Sequence, residues 1–396
     1  MATAQRPRPH LTAVRRDEER VTALELFFDL VFVVAITECT SLMAGNPTWG
    51  GLLRGVLVLG VLWWSWVGYA WLTSTVNPEE GSVRLVMFAA MAAVLVAALS
   101  VPQAFDDTAL LFACAYAVVR IAHIGLYLVA SRGDGDLRRS VTGLAASTAV
   151  GVSLLAAASA ADGALQVGLW ALALVLDAGG PLFFGVEGWR LVPGHFAERH
   201  GLVVLIAIGE SIVALSVGAE HGVDAGVVAA AVVGIVVAAA LWWLYFDVVA
   251  LVATRHLAEA PEGRRRNAMA RDSYSYLHYP MVAGIVLLAL GVKTTLAEVG
   301  DALTAPIATA LLGGGALYLL AHLAFRLRNV GTLNRPRSVG VVVLLALIPA
   351  ATHVPALASL SLLAAVLASI IAWEAVRYAE ARDRVRHQLA RAPMPE

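Results

Sequence analysis

Acidic residues stand inside apolar segments that are long enough to cross a membrane, where a charge is costly. Glu25 and Asp29 lie in the apolar run 21–43, and Glu210 lies in the run 198–218. A carboxylate at the centre of a bilayer costs about 2.5–3.5 kcal/mol on insertion scales. Acids persist there when they face a partner, the interior of a bundle or a water path. We therefore expect these three residues to bind a cation, relay a proton or hold a gate.

The spacing of these acids leaves two interpretations open. Glu25 and Asp29 are four residues apart, so they lie about 40° apart on one helix face. They form either a cation or proton site or gate, or a structural ion-pair network with Arg20, Arg120 or a neighbouring histidine. Glu210 either relays an ion or a proton, or is a neutral, hydrogen-bonded residue at a polar contact between helices. The preceding glycine would permit such a close helix contact.

Histidines provide two weaker candidate groups. The first has a His-x-x-Glu-x-His spacing, which differs from the zinc-protease pattern and is therefore a weak metal signature: His195, Glu198 and His200. The second group lies in apolar segments and consists of His123, His278 and His322. These histidines either pair with the acids and respond to pH, or are simply hydrogen-bonded. Phosphate loops, a nucleophile elbow, and haem and Cys-x-x-Cys signatures are missing, so we expect no cofactor, and an enzyme is the less favoured class.

The elements that must position these residues are membrane helices. The chain has 396 residues, of which 59% are hydrophobic and 14% charged, whereas soluble proteins carry about 25% charge. Apolar runs of about 20 residues, enough to span a bilayer, recur along the chain. They predict an all-α polytopic membrane protein with about twelve transmembrane helices. These helices run near residues 21–43, 51–74, 83–101, 108–130, 140–160, 165–184, 198–218, 226–252, 274–297, 303–326, 338–353 and 355–378.

Arginines are concentrated in alternate loops, on what we call the arginine-rich side. The short loops on the opposite side contain no arginine or lysine: 44–50, 102–107, 161–164, 219–225, 298–302 and 354. The positive-inside rule then places both termini in the cytoplasm of a bacterial inner-membrane protein. We expect an uncleaved signal anchor and basic tails that contact anionic membrane lipids. The net charge of −1 argues against nucleic acid as a partner.

Three further features of the apolar runs have ordinary explanations. The tryptophans between Trp63 and Trp71 favour an interfacial belt, with a wedge beside the acidic helix as the alternative. Lys293, the only lysine, lies near the outer end of helix nine, where its amine reaches the headgroups. Asp177 and Asp247 are weaker acidic candidates, because they lie closer to the arginine-rich side.

The two halves of the chain resemble each other. Leu62-Trp63-Trp64-Ser65-Trp66 is echoed by Leu241-Trp242-Trp243-Leu244-Tyr245, and the same offset places Arg20 on Arg199. This pattern predicts two parallel six-helix repeats, in which helices one and seven meet near a pseudo-two-fold axis along the membrane normal. The predicted segments are a basic N-terminal segment, two repeats and a C-terminal tail: 1–20, 21–184, 198–378 and 379–396. Assembly as a homo-oligomer is left open.

Two stretches carry a family resemblance. Arg20-Val-Thr-Ala-Leu-Glu-Leu-Phe-Phe-Asp29 and His195-Phe-Ala-Glu-Arg-His-Gly, with Gly209-Glu210-Ser211 further on, look like the bacterial low-temperature-requirement protein A family. Tyr276-Leu-His278 and the segment that starts at Gly284 also match its pattern. The resemblance covers nearly the whole chain and implies a multispanning inner-membrane protein. The family name records a growth phenotype, so it implies no activity.

A second resemblance concerns the first helix. Phe27-Phe28-Asp29-Leu30 and the residues up to Thr37 are similar to the Phe-Ser-Asp helix of the two-repeat endolysosomal potassium channel family. In those channels the first helix lines the pore and apolar side chains form its constriction. The resemblance implies that Asp29 and Arg20 are network residues and that Ile36 or Val33 faces a pore. Phe28 replaces the family's serine, and helix seven has Gly-Glu-Ser in place of a second copy of the motif.

These features favour a channel or transporter for a small cation, K⁺ or H⁺, through a path bordered by helices one and seven. Glu25, Asp29 and Glu210 would supply charge, and Arg20 and Arg199 would anchor the ends on the arginine-rich side. One alternative is a membrane enzyme or binding protein for a lipid or lipophilic ligand, with the 195–200 cluster at its mouth. Another is a membrane assembly factor that transports nothing.

Overall fold

The computed structural model describes residues 20–79, 81–218 and 224–380, with side chains described up to residue 215 in the second range. This part of the chain is built from helices and contains no β-strand element, which confirms the all-α prediction. Most of the predicted N-terminal segment and the C-terminal tail beyond residue 380 lie outside the described residues.

Fifteen α-helices follow one another in the described residues, most of them joined by short turns. Their bounds are α1 Ala23–Gly45, α2 Trp49–Thr75, α3 Gly81–Ser100, α4 Ala109–Ala130, α5 Gly135–Ala158, α6 Gly163–Phe183, α7 Pro193–Gly218, α8 Ala225–Phe246, α9 Val249–Glu259, α10 Arg264–Met269, α11 His278–Ala297, α12 Ala305–Ala308, α13 Gly314–Val330, α14 Arg335–Ala351 and α15 Ala356–Arg377. Two π-helical turns, Ala270–Tyr276 and Thr309–Gly313, join α10 to α11 and α12 to α13.

The long helices agree with a protein that crosses a membrane many times. Within the described residues, 10 helical segments are long and apolar enough to span a bilayer. Two predicted spans are helical but fall outside this set, α7 and α14. Helix α7 contains three charged residues, Glu198, Arg199 and Glu210. Helix α14 has only 17 residues, fewer than the roughly 20 that a span usually needs. The count of twelve therefore stays a prediction.

Corresponding pairs of helices pack together in the two halves. Helix α1 packs on α3 as α7 packs on α11, and α2 packs on α6 as α8 packs on α15. The pairs α4–α5 and α5–α6 likewise have counterparts in α13–α14 and α14–α15. The division into two repeats stays a prediction, and this correspondence supports it.

The tryptophans of α2 are buried inside the bundle, so their predicted place in an interfacial belt is wrong and the wedge alternative fits. Trp63 donates its indole N–H to the backbone carbonyl of Ser275 at 2.8 Å, and Trp71 donates to the Ser275 hydroxyl at 2.9 Å. Ser275 lies in the first π-helical turn. These bonds hold α2 of the first half against the entry to α11 of the second half.

Candidate functional site

The first polar cluster begins at the start of α1. Thr22 caps this helix, because its hydroxyl accepts a hydrogen bond from the Glu25 backbone at 3.3 Å. The Glu25 carboxylate in turn accepts a bond from the Thr22 backbone at 2.9 Å through Oε2. This reciprocal capping box fixes the Glu25 side chain. It leaves Oε1 facing the neighbouring helix α7.

Helix α7 supplies two basic side chains to the acids of α1. His195 Nε2 lies 2.8 Å from Glu25 Oε1, and Arg199 Nη1 donates to the same oxygen at 3.2 Å. Arg199 Nη2 donates to Asp29 Oδ1 at 2.6 Å. The two basic residues are four apart, so one helix face presents both to α1. One guanidinium thus joins both carboxylates of α1.

Helix α2 completes this cluster. Trp66 donates its indole N–H to Asp29 Oδ1 at 2.8 Å, and Thr73 accepts from Arg199 Nη1 at 3.0 Å. The guanidinium of Arg199 also lies over the Trp66 ring, 5.4 Å from its centroid. We call Glu25, Asp29, Trp66, Thr73, His195 and Arg199 the ion-pair cluster.

The ion-pair cluster is sealed from solvent and has an uneven charge. Glu25, His195 and Arg199 are fully buried, and Asp29 is 1% exposed. Among the described contacts, two carboxylates face the Arg199 guanidinium, and a proton on His195 or on a carboxyl group would balance the second negative charge. The Oδ2 atom of Asp29 has no hydrogen-bond partner. This oxygen is therefore an acceptor for a proton inside the bundle.

This arrangement matches the ion-pair interpretation of Glu25 and Asp29, with His195 as the histidine. Arg199 is an arginine partner that the ion-pair interpretation did not name, and Arg120 lies in another network. The sequence could not indicate this, because it depends on which faces of α1, α4 and α7 meet.

Arg120 belongs to a separate buried network in the first half. It donates from Nη2 to Asp177 Oδ1 at 2.8 Å and to Thr148 at 2.6 Å. Tyr116 donates to the other Asp177 oxygen at 2.5 Å. Asp177, a weaker candidate in the sequence, thus joins α4, α5 and α6. His123 packs beside this network, because Gly68 has no side chain to obstruct its ring.

We expect Trp66→Phe to lower the free energy of unfolding by about 2 kcal/mol. The change keeps an aromatic ring but removes the N–H that Asp29 accepts, in a place that water does not reach. Thermal unfolding of purified protein in detergent measures the effect. Trp373→Phe on the exposed face of α15 is the matched control and should change little. Equal unfolding temperatures for the two variants would show that the bond to Asp29 contributes nothing.

A second polar cluster lies further along α1 and α7, towards the opposite side. Thr37 donates its hydroxyl to Glu210 Oε2 at 2.6 Å, and Glu210 is only 3% exposed. The charges of Lys293 and Glu38 both act on the Glu210 carboxylate, and Thr40 interacts with it as well. We call Thr37, Glu38, Thr40, Glu210 and Lys293 the acidic cluster.

Sequence reasoning missed Glu38 and the location of Lys293. Glu38 lies in the predicted span 21–43 and is half-buried. Its position in an apolar run could have identified it as a candidate from the sequence. Lys293 is half-buried and its charge acts on the Glu210 carboxylate, an interaction that the sequence did not indicate. Only the packing of α1, α7 and α11 brings these charges together.

Among the described residues, the predicted histidines His123, His278 and His322 form no ion pair with an acid. His278 bonds the Tyr245 hydroxyl at 2.8 Å and the Ser273 carbonyl at 3.0 Å. His200 packs against His278, and His322 against Tyr245, through edge-to-face ring contacts. These residues form an aromatic core between α7, α8, α11 and α13. The structure thus matches the hydrogen-bonded alternative for His278, and His195 is the histidine that contacts an acid.

The residues with metal-like spacing point apart. His195 faces Glu25, whereas His200 Nδ1 bonds the Phe196 carbonyl of its own helix at 2.8 Å. Glu198 is exposed and accepts a bond from the Val21 backbone at 3.3 Å. Over residues 20–79, 81–218 and 224–380, no three His, Cys, Asp or Glu side chains are arranged to hold a metal ion. The geometry therefore gives no support to a metal-dependent site here.

The structure places Ile36 in the packed core, where its side chain is fully buried. The exposed face of α1 instead carries Leu26 and Leu30, followed by the half-buried Val33 and Thr37. Of the two pore-facing candidates, Val33 thus lies on the more open face of the helix.

A polar crevice of about 590 Å³ opens on the arginine-rich side. Its walls include Ser74 and Thr75 at the end of α2, together with Arg190, Arg266 and Asn267. Thr73, the next residue along α2, contacts Arg199. The ion-pair cluster therefore lies directly behind this crevice.

Many apolar helices around buried ion pairs define a polytopic membrane protein. A model of the Bacterial low temperature requirement A protein (LtrA) family matches residues 20–372. The chain therefore belongs to the LtrA family, and the resemblance seen in its motifs is confirmed. It is also similar to the protein called Uncharacterized protein RA0937 of Rhizobium meliloti (strain 1021), with 27% identity over 91% of this chain and 90% of that protein. No solved structure matches the chain.

Proposed function

We propose that the protein transports a small cation, H⁺ or K⁺, along the contact between α1 and α7. The observation that carries this proposal is the acidic cluster. Glu210 is buried in the span yet lies within the electrostatic reach of a second acid, Glu38. Two carboxylates against one lysine leave an excess negative charge, which attracts a cation or a proton. A purely structural role would need only the bond from Thr37.

The ion-pair cluster acts as the closed end of this path. About 12 Å of helix separates Asp29 from Thr37, at 1.5 Å per residue. Phe32 and Ala35 fill this interval and are buried. A cation therefore passes only when the helices move, whereas a proton also has a resting place at the free Asp29 oxygen. This geometry favours a gated channel or transporter over a permanently open pore.

The crevice behind the ion-pair cluster supplies the second opening. Its polar walls suit hydrated ions, and its arginines fall on the side that the positive-inside rule assigns to the cytoplasm. In this proposal the protein lies in the bacterial inner membrane with both termini in the cytoplasm. Glu38 and Glu210 then receive the cation from the outer side.

Cation flux into liposomes that contain the purified protein tests this proposal. We expect flux of K⁺ or H⁺ above that of empty liposomes, and a loss of at least about tenfold in Glu210→Gln. The variant keeps the shape and the hydrogen bond from Thr37 but removes the charge, and a tenfold change corresponds to about 1.4 kcal/mol. Parallel measurements with K⁺, Na⁺ and a pH-sensitive dye identify the ion.

Glu298→Gln is the matched control, because Glu298 is exposed at the same end of α11 where Lys293 lies. Its flux should equal that of the wild type. The proposal fails if folded protein in the bilayer passes no cation, or if Glu210→Gln passes as much as the control.

A further inference from the structure

An open groove runs between α14 and α15, two helices that the proposed cation path does not use. Its volume is about 710 Å³, and its walls are mainly apolar. The apolar side chains that form the walls recur about once per helical turn: Val339, Val343 and Leu347 on α14, and Leu362, Val366 and Trp373 on α15. Exposed apolar surface of this kind marks a contact with a membrane or with another protein.

The length of the groove corresponds to one leaflet of a bilayer. Between Arg335 and Leu347, which both line the groove, α14 rises about 18 Å at 1.5 Å per residue. The hydrocarbon core of a bilayer is about 30 Å thick, so one leaflet takes up about 15 Å of it. A single lipid chain that enters from the arginine-rich side would therefore be covered along its whole depth in that leaflet.

The arginine end of the groove lies where lipid headgroups are expected. Arg337 donates to both oxygens of Glu374, at 2.9 and 3.0 Å, and this pair fixes the start of α14 beside the last turns of α15. The neighbouring Trp373 contacts Tyr378 edge to face, with 5.6 Å between the ring centroids, and both side chains are 46% exposed. Exposed tryptophan and tyrosine are typical of the membrane–water interface.

Two arginines give this end of the groove a positive charge. Arg335 is the first residue of α14 and lines the groove. Arg377 follows Trp373 by four residues, so it lies on the same face of α15. Both arginines are exposed, and within the described residues neither forms an ion pair with an acid. An apolar groove with unbalanced cations at its interfacial end is complementary to an acyl chain that carries a phosphate group.

A second copy of the chain fits these charges less well. Two copies in the same orientation in one membrane are related by a two-fold axis along the membrane normal, which brings the same surface of each copy together. Contact through the groove would then place Arg335 and Arg377 of one copy close to the same arginines of the other. An anionic lipid supplies apolar surface and the opposite charge together.

We propose that this groove binds one anionic phospholipid from the leaflet on the arginine-rich side. Its acyl chain would lie between α14 and α15, and its phosphate would lie beside Arg335 and Arg377. The two positive charges favour a headgroup with a net negative charge over a zwitterionic one. The site is separate from the contact between α1 and α7, so its failure would leave the transport proposal untouched.

Native mass spectrometry of the purified full-length protein tests the charge preference. Dioleoyl-phosphatidylglycerol and dioleoyl-phosphatidylcholine have the same chains and differ in headgroup charge. We expect the wild type to retain one phosphatidylglycerol molecule at concentrations where phosphatidylcholine is lost. Arg335→Gln should bind phosphatidylglycerol about fivefold more weakly, the contribution typical of one arginine beside anionic lipid. Equal binding of the two lipids by the wild type would overturn the proposal.

Arg138→Gln is the matched control for this variant. Arg138 is exposed on the same side of the molecule, in α5, but it does not line the groove. Its loss should leave the binding of phosphatidylglycerol unchanged. The same weakening in both variants would mean that the lipid responds only to the total charge of this side, which contradicts a site at the groove.

A second pair of variants tests the groove itself. Ala365 lines it, whereas Ala368, also exposed on α15, does not. Ala365→Phe should fill the groove and weaken phosphatidylglycerol binding at least fivefold, while Ala368→Phe should bind as the wild type does. Unchanged binding in Ala365→Phe would contradict the proposal. A lipid-free wild-type dimer that Ala365→Phe converts to a monomer would overturn it in favour of a second copy.

Discussion

Replacing Arg199 by methionine should cost the protein about 3–5 kcal/mol of stability, a large part of what a folded domain has. The Arg199 guanidinium contacts both Glu25 and Asp29, and all three residues are buried. Methionine fills the space but removes the guanidinium that joins Glu25 to Asp29. Desolvated carboxylates then ionise at high cost or take up protons. We expect most of the protein to aggregate on solubilisation, with a much lower unfolding temperature in the remainder.

Arg190→Met is the control for this change. Arg190 lies at the same end of the bundle, but it is 58% exposed and meets Asp134 only at 3.6 Å. Exposed pairs of this kind contribute about 0–1 kcal/mol. Size-exclusion profiles of fluorescently tagged protein compare the two variants directly. Similar profiles for the two would show that the ion-pair cluster does not hold the helices together.

A compensated variant separates lost charge balance from lost packing. Glu25→Gln and Asp29→Asn, combined with Arg199→Met, remove all three permanent charges at once. Neutral replacement of a whole buried ion network is often close to neutral for stability. We therefore expect the triple variant to recover most of the folded fraction that the single variant loses. A triple variant as unstable as Arg199→Met would assign the loss to the shape of the arginine.

The amino-acid sequence indicates the acids but not their partners, for a physical reason. The free-energy cost of placing an acid in an apolar run can be recognised from the neighbouring residues alone. This is why Glu25, Asp29 and Glu210 could be identified as candidates from the sequence. Which base faces each acid depends on the rotation of every helix about its axis. Arg120 and Arg199 both lie in apolar runs, and only the packing shows that one meets Asp177 and the other meets α1.

The fold was predictable to the extent that hydrophobicity determines it. Long apolar runs indicate the all-α class and the approximate spans, since a bilayer fixes helix length. The π-helical turn before α11 was not predictable, because it depends on bonds between Ser275 and two tryptophans of α2. Only part of the acidic cluster was predictable, because nothing in the local sequence indicates that Lys293 of α11 lies near Glu210 of α7.

The crossing of α11 and α13 is a close contact between two helix backbones. A Cβ added to Gly284 would lie 2.7 Å from the Gly314 carbonyl oxygen and 2.8 Å from the Tyr318 backbone nitrogen. A Cβ on Gly314 would lie 2.7 Å from the Gly284 carbonyl oxygen. Each of these neighbours is a backbone atom, which cannot rotate away. Small residues allow this approach, and in lipid such close packing drives helix association.

Gly284→Ala should therefore lower the free energy of unfolding by about 3 kcal/mol, at the upper end of overpacking effects. Separating α11 from α13 would also disturb the bond from the Tyr318 hydroxyl to the Leu241 carbonyl of α8, now 2.7 Å long. Gly209→Ala is the matched control, since a Cβ there meets no atom within 4 Å. Alanine is also the better helix former, so this control should be neutral or slightly stabilising.

The double variant Gly284→Ala with Gly314→Ala shows whether the crossing itself is responsible. Once the helices have moved apart to accept one methyl group, the second costs less, so the combined loss should be smaller than the sum of the two. Unfolding temperatures of the four proteins in one detergent give this comparison. Strict additivity would mean that each glycine acts within its own helix. A Gly284→Ala protein as stable as Gly209→Ala would mean that α11 and α13 are further apart than the structure places them.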